Sequence, residues 1–509
     1  MVAARSRPIH RPIRLSPSAN RISRNAGSRR GSLSTFAPSY TFSLEQQAWE
    51  RMLAQGRAAD LASNDWAANS GIDSITINAV GTGLRPQSRI NAKLLGISKD
   101  AAKVLQANIE AAWKEWTPHA HTRGMLHFED LQFLGLRSML RTGEMLHLPV
   151  MVDEPDGGTR LAIQDVLPSR LRTPLDMVTD PSVVDGVQMG PYGAPEFYWL
   201  ATPSAIASRT LDITGLCSDQ FTRIPARIGH RPGCFHLFRH DEEEQTRGES
   251  IISPGMNLFH HLSDALDNEL LSAVTAASLP VFIAREQGSP IVPPYVDKVT
   301  DEDGEERYYE KADGGEIMYG NMNEKPYLLE TGRPSPNFAV FSEFVLRAMA
   351  ATLGISYEVL TKDFSKTNYS SARAALLEAW RVFLLYRSWL VRHYCQPVWS
   401  MVIEDAWLAG RIELPSGAPD FYDARDLYTA SLWIGPARGY VDPVKDVAAN
   451  ATAIDKRLMT YSEALAERGR DFDEVMDERE EEEERLGKFA APPTAPPVYK
   501  EEQHGNAPA

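Results

Sequence analysis

Apolar positions along the chain fall into two textures. Leu44–Gly56 opens the ordered part as a helix, followed by a second helical stretch over Ala58–Asn69. Ile75–Val80 begins by alternating apolar and polar residues and runs into Gly81-Thr82-Gly83, a pattern that predicts a strand and a turn. Helical spacing returns over Ala101–Trp116 and Phe128–Thr142. Met145–Asp153 and Arg160–Asp165 read as strands of an α+β domain, and sheet-like segments continue through Glu196–Leu200 and Gly233–Phe238.

The texture changes at Ser253-Pro254-Gly255. Asn257 to about Ser278 forms a helical stretch, with Leu258, Leu262, Ala265, Leu266 and Leu270 on one stripe. A second apolar helix, Asn337–Leu353, follows Pro334 and Pro336 and ends at Gly354. Between the two lies a Pro-, Gly-, Tyr- and charge-rich insertion, residues 286–336. Within it, Asp301-Glu302-Asp303-Gly304 resembles part of a calcium loop, but Val299 takes the first ligand position and the flanks are strand-like, so a β-hairpin is preferred. A polar loop, Ile355–Tyr369, leads to the most persistent helix, whose stripe runs from Ala372 through Phe383 to Tyr394. Pro397 must kink or break it. Thr460 with Glu463 is a capping-box pattern for a last helix, and the Ala/Pro-rich tail beyond Gly487 has a disordered composition.

Charge alters this picture. The 509 residues carry a net −15. Residues 1–40 hold eight Arg and no acid, while residues 471–484 hold ten acids and one Arg. The rest is net acidic too, which argues against a protein that grips nucleic acid along its whole surface. The basic arm reads as disordered; its Arg- and Ser-rich, acid-free composition is also that of an organellar transit peptide, the weaker reading. It lacks the apolar core of a signal peptide, and no apolar run reaches membrane-spanning length.

The survey for catalytic chemistry is mostly negative. Cys217, Cys234 and Cys395 form no CxxC pair, which fits a reducing compartment. The sequence holds no phosphate-binding G-x-x-x-x-G-K-[ST], no G-x-S-x-G and no H-E-x-x-H. Gly81-Thr82-Gly83 lacks the third glycine of a dinucleotide fingerprint, and Pro86 stands where its helix would begin. His119, His121 and His127 have a spacing that can serve zinc, but they read as polar loop histidines. His393 and Cys395, two apart on a helix, project to different sides. No cofactor and no metal site is expected.

A collinear set of motifs then points further. Gly332 to Phe383 (GRPSPNFAVFSEFVLRAMAATLGISYEVLTKDFSKTNYSSARAALLEAWRVF) strongly resembles the portal proteins of lambda-type tailed phages. So do NAVGTGLRP from Asn78, the Trp113/Trp116 pair in AAWKEWT, and RTGE from Arg141. His236-Leu237-Phe238, Gln245-Thr246-Arg247-Gly248, WIGPARGYVDPVKD from Trp433 and Gly469-Arg470-Asp471 belong to the same set. The likeness covers about residues 41–487; the Arg-rich arm and the Glu run at 480–484 depart from it.

The resemblance implies an α+β portal fold assembling as a ring, usually dodecameric. Its parts would be a basic arm (1–40), an α/β wing (41–256), stem helix 1 (257–285), a clip (286–336), stem helix 2 (337–354), a tunnel loop (355–370), a long wing helix and return (371–424), a crown with an acidic helix (425–487) and an Ala/Pro tail (488–509). It implies a structural, non-enzymatic head–tail connector at one capsid vertex of the virion, present in host cytoplasm during assembly and independent of membranes. Implied partners are the terminase large subunit, capsid and scaffold proteins, head-completion or tail-connector proteins, and duplex DNA passing through the channel. Lys362, Lys366, Asn368 and Arg373 would be the DNA-proximal residues of the tunnel loop. Two readings of the lysines stand side by side: transient phosphate contacts, or ordinary solvated loop charges. A net-acidic body suits a conduit, because each neutralised phosphate adds affinity that would impede sliding. The competing classes are a capsid-associated nuclease or protease and a ring adaptor that conducts no DNA.

Overall fold

The computed structural model describes residues 44–153, 158–203, 216–277, 281–285, 297–300, 306–312, 315–322, 337–437 and 443–487. The chain divides into two compact units, Met1–Trp49 and Glu50–Ala509. Of the first, residues 44–49 are described, as the opening of helix α1 (Leu44–Asn64). The basic arm and the Ala/Pro tail lie outside the described residues.

Helix α1 continues through Gly56, and α2 (Trp66–Ala79) starts after Asp65, whose carboxylate accepts a hydrogen bond from Ala68 N at 2.6 Å. That cap fixes the break at Asp65 instead of Arg57. The strand expected over Ile75–Val80 is the end of α2. Ile72, Ile75 and Ala79 are buried three and four apart while Ile77 is half exposed, so the alternation belonged to one helical face and one outward residue. Gly71 permits a close approach on this helix: a Cβ there would lie 2.2 Å from Leu353 Cδ1.

Strand β1 (Arg85–Ser88) leads to α3 (Lys99–Trp116) and α4 (Phe128–Thr142), both close to the expected ranges. Gly143 ends α4 at φ 95°, where a Cβ would meet the Glu249 backbone at 2.5 Å. Strands β2 (Glu144–Asp153) and β3 (Thr159–Val166) pair antiparallel, Leu146 opposite Val166. Next come β4 (Val183–Val184), β5 (Val187–Met189), β6 (Pro195–Ala201) and β7 (Phe221–Pro225), which form a four-stranded antiparallel sheet. A short pair, β8 (Arg227–Ile228) and β9 (Arg231–Pro232), precedes β10 (Phe235–Phe238), which joins β2 to give the order β10-β2-β3.

The β10-β2-β3 sheet is buried on both faces. Met145, Leu161, Ile163, Phe235 and Leu237 enter the main core, while Leu146, Leu148, Val166 and Cys234 enter a second core with Tyr198 and Leu200. Burial on both faces explains the near-continuous apolar run at the start of β2.

Helix α5 (Met256–Ala277) buries Phe259 and Leu262, whereas Leu258 and Leu270 of the expected stripe are exposed. Strands β11 (Val281–Arg285), β12 (Asp297–Thr300), β13 (Glu306–Ala312) and β14 (Gly315–Met322) make a sheet of order β11-β14-β13-β12. β12 and β13 are antiparallel with Thr300 opposite Glu306, the pairing of a hairpin; residues 301–305 lie outside the described ones. β11 runs parallel to β14.

Helix α6 (Phe338–Thr352) ends at Gly354, φ 68°. The stretch expected as a loop over Ile355–Tyr369 begins with a helical turn, α7 (Tyr357–Thr361), because Ser356 caps it and Val359 and Leu360 are buried. Helix α8 (Tyr369–Leu390) then passes through a π turn, Val391–Cys395, into α9 (Gln396–Leu408). Pro397 therefore does not stop the chain: the shift to wider bonding, Gln396 N to Val391 O, accommodates the missing donor. The backbone returns through β15 (Ser431–Ile434), which pairs antiparallel with β1, to α10 (Pro443–Asp455), α11 (Tyr461–Glu467) and α12 (Phe472–Gly487). The capping box at Thr460 is formed, with Glu463 N donating to Thr460 Oγ1 at 3.1 Å and Thr460 N to Glu463 Oε2 at 2.8 Å.

Candidate functional site

The segment 362–368 connects α7 to α8, and packing fixes both of its roots. On the α7 side, Ser70 Oγ donates to Leu360 O at 2.7 Å and Ser74 Oγ to Val359 O at 3.3 Å, tying the turn to α2. On the α8 side, Ala379, Phe383, Tyr386 and Leu390 are buried in the main core. Between these roots the chain turns on itself. Lys362 adopts φ 59°, Ser365 N donates to Asp363 Oδ1 at 2.9 Å, and Thr367 N donates to Phe364 O at 3.2 Å.

The four residues expected to face DNA have different surroundings. Lys362 is exposed and makes no ion pair among the described residues. Lys366 Nζ lies 3.1 Å from Glu343 Oε2 on α6, and the other oxygen of that carboxylate accepts from Arg347 at 2.8 Å. The hydrogen bond and charge of Glu343 raise the Lys366 pKa. Asn368 is the N-cap of α8; its side-chain oxygen accepts from Ser371 N at 2.8 Å, so that oxygen serves the helix. Arg373 is the fifth residue of α8, half-buried. The partner that sequence reasoning missed is Glu343. The Glu343/Arg347 spacing of four on a helix was a visible signal, but the approach of Lys366 across 23 residues was not.

Several of the shorter motifs behind the family resemblance meet in the structure. Arg387 donates to Asn78 O, Ala79 O and Pro436 O at 2.9–3.0 Å, stapling NAVGTG to WIGPARG, and burial lowers its pKa to about 10. Trp113 packs its ring 5.0 Å from Trp116, 5.2 Å from Trp399 and 5.9 Å from Trp433. RTGE and QTRG meet at a buried ion pair, Arg247 Nε and Nη2 donating to Glu144 at 2.6 and 2.7 Å. Gly248 N donates to the same carboxylate at 2.9 Å, and His236 Nε2 lies 3.3 Å from it. A cavity of about 670 Å³ opens where four of these motifs converge, lined by Thr82, Arg85, Trp113, Ile434, Asp471 and other polar groups.

The remaining candidates take structural roles. His121 is fully buried, contrary to its reading as a polar loop residue, and its Nε2 meets Asp165 at 2.9 Å, with Arg123 on the same carboxylate at 2.8 Å. His127 caps α4, and His119 offers its carbonyl to Arg160. Cys395 is buried in the π turn, and burial pushes its thiol well up, unlike a nucleophile. Among the described residues no group of three or more His, Cys, Asp or Glu is placed to hold a metal, and no helix is long and apolar enough to cross a membrane.

Comparison with known proteins completes the assignment. The sequence model described as phage portal protein, lambda family, matches residues 34–387. Portal protein B of Escherichia phage lambda is 26% identical over 470 residues, 87% of this chain and 86% of that one. The portal protein of Escherichia phage N15 is 26% identical over 478 residues with the same coverage, 87% and 86%. The probable portal protein of Halomonas phage phiHAP-1 is 26% identical over 397 residues, 75% of this chain and 71% of that one. Among solved structures, a chain from the virion of the native gene transfer agent particle superposes with a TM-score of 0.34 at 14% identity, covering 83% of this chain and 99% of that one, too loosely to decide the fold. A family model covering well over half the sequence carries the conclusion: the chain belongs to the lambda family of phage portal proteins.

Proposed function

We propose that copies of this chain form the portal ring, usually of twelve subunits, at one vertex of a tailed-phage capsid, and that duplex DNA enters and leaves through its channel. Family membership supports the role, and one structural observation supports self-association. Helices α5 and α6 bury only part of their apolar surface, leaving Leu270, Leu271, Val274, Val340, Phe341 and Phe344 each more than half exposed. Large apolar side chains in such number on two neighbouring helices call for a cover, and further copies of the chain supply it. In this reading α5 and α6 are the stem, the β11–β14 sheet belongs to the clip, residues 362–368 form the tunnel loop, and α10–α12 form the crown side.

The protein is then structural and not an enzyme. Packaging energy comes from a separate terminase whose large subunit docks on the clip, later replaced by head-completion or tail-connector proteins; capsid and scaffold proteins surround the ring. Lys362 and Lys366 touch passing phosphates transiently while the acidic body keeps DNA from adhering. Lys362→Ala/Lys366→Ala tests this role: rings should assemble as before while DNA packaging or retention changes. Wild-type behaviour in both assays would remove the lysines from the mechanism.

A further inference from the structure

Lys366 is exposed but not free of an anion: its ammonium is already paired with Glu343. Its partner Glu343 is only 19% exposed and holds two cations, one on each oxygen: Arg347 at 2.8 Å and Lys366 at 3.1 Å. The two cations differ in how firmly they are kept. Arg347 lies four residues along the same helix and its guanidinium also stands 5.4 Å from the Tyr357 ring. Lys366 is 72% exposed, on a loop whose other hydrogen bonds run within residues 361–372. Among the described residues Glu343 is thus the polar tie between this loop and α6.

We propose that Glu343 acts as a resident stand-in for a phosphate. It parks Lys366 against α6, and a phosphate of passing duplex DNA takes its place, exchanging one anion for another and releasing the loop from the helix. This inference rests on the portal reading and adds its regulation: the channel cation is masked when no DNA is present. The chemistry suits the exchange. An ion pair this exposed is weak and easily screened, so a phosphate brought close can displace it. Arg347 and the Tyr357 ring stay behind to hold Glu343 in place, so the loop can return. The carboxylate also offsets positive charge at the loop, which lowers the number of phosphates neutralised and keeps sliding fast.

Glu343→Gln in the full-length protein separates the steps, with Lys366→Gln and the double variant as companions. Subunit assembly is compared by electron microscopy in each. Backbone hydrogen exchange over residues 362–368, without DNA, reads the tie alone. It should quicken roughly two- to fivefold in Glu343→Gln and in Lys366→Gln, the range expected for loss of one exposed pair. Duplex DNA affinity as a function of salt reads the exchange. Glu343→Gln should bind more tightly, with a slope steeper by about 0.9 for each phosphate gained, and the double variant should lose the gain carried by Lys366. Unchanged exchange in both single variants would overturn the tie. Quickened exchange with DNA affinity identical in all variants would overturn the phosphate displacement and the DNA-contact reading of the loop, while leaving the tie in place.

Discussion

Glu144 and Arg247 illustrate how a single pair can hold distant segments. Both side chains are almost fully buried, 103 positions apart, and the guanidinium also reaches Leu171 O and Asp185 O at 2.9 and 2.6 Å. Burial pushes the Glu144 carboxyl up, but the charge and hydrogen bonds of Arg247, with help from His236, hold it well below the usual carboxylate range. Arg247→Ala should destabilise by about 3–5 kcal/mol in urea unfolding, because it strands a buried carboxylate. Acid sensitivity should come from histidines instead. His147 is buried with Nδ1 2.8 Å from the Tyr394 hydroxyl, and burial lowers its pKa to about 4. The unfolded chain then binds the extra proton between its ordinary value near 6.5 and 4, so stability is full above about 6.5 and falls as pH drops through that window. Glu144, with its depressed value, loses its contribution only below the ordinary carboxylate range. His147→Gln should flatten the pH dependence of stability between 6.5 and 4 by up to about 3 kcal/mol, read from denaturant midpoints at matched m-values. None of this was legible from the sequence, since nothing local to RTGE, QTRG or His147 announces a partner so far along the chain.

At the scale of elements, helices were read best where one face stays buried for several turns. Ala101–Trp116 and Phe128–Thr142 came within two residues of α3 and α4. Errors arose where a short window mimicked another period, as Ile75 and Ile77 did in α2, or where a buried turn such as Val359-Leu360 sat in polar surroundings. The stripe on α5 was right in part: Leu262 and Leu266 pack on the core beside Phe259, while Leu258 and Leu270 are exposed, because only the N-terminal half of the helix meets the core. One element gathers carboxylates at its start. The start of α12 brings Asp471 and Glu474 to the cavity edge near Glu110 of α3, with Lys114 pairing Glu474 at 2.9 Å, and Asp473 beside them accepts from Gln87 at 3.2 Å. Arg85, His127, Glu129, Asp130 and Arg470 also line that cavity. Burial raises both Glu110 and Asp471, and each feels neighbouring carboxylates. A carboxyl raised in the seated state favours seating below its ordinary pKa and loses that advantage as pH rises through the raised value. Glu110→Gln keeps an acceptor for Ser88 N, which now sits 2.7 Å from Oε1, and removes the charge. It should slow hydrogen exchange of residues 472–487 at pH 8, after correction for intrinsic rates, and the difference from wild type should shrink as pH falls toward the ordinary carboxylate range. No difference at pH 8 would show that these charges do not govern the seating of α12.

For the whole molecule, the mixed α+β class was legible from the alternating helical and strand-like textures of the chain. Of the candidate loop, the stretch itself was legible and its partner was not. The loop stood out by polarity and its lysines were picked out by the family resemblance, whereas Glu343, which pairs with Lys366, was hidden inside an apparently apolar helix. The exposed faces of α5 and α6 carry the assembly claim. Leu271→Asp/Phe344→Asp places charges on residues that touch little in the single subunit. Its far-ultraviolet circular dichroism and thermal midpoint at high dilution should match wild type, while light scattering should show loss of the large assembly.

Cryo-electron microscopy of the purified full-length chain tests the central claim most directly. The account predicts a closed ring with an axial bore wide enough for duplex DNA, with α5 and α6 at the contacts between neighbouring subunits and residues 362–368 on the channel wall. The subunit count in purified protein can vary and decides nothing. Monodisperse monomers that hydrolyse substrate with a metal, or a ring too narrow to admit a duplex, would contradict it.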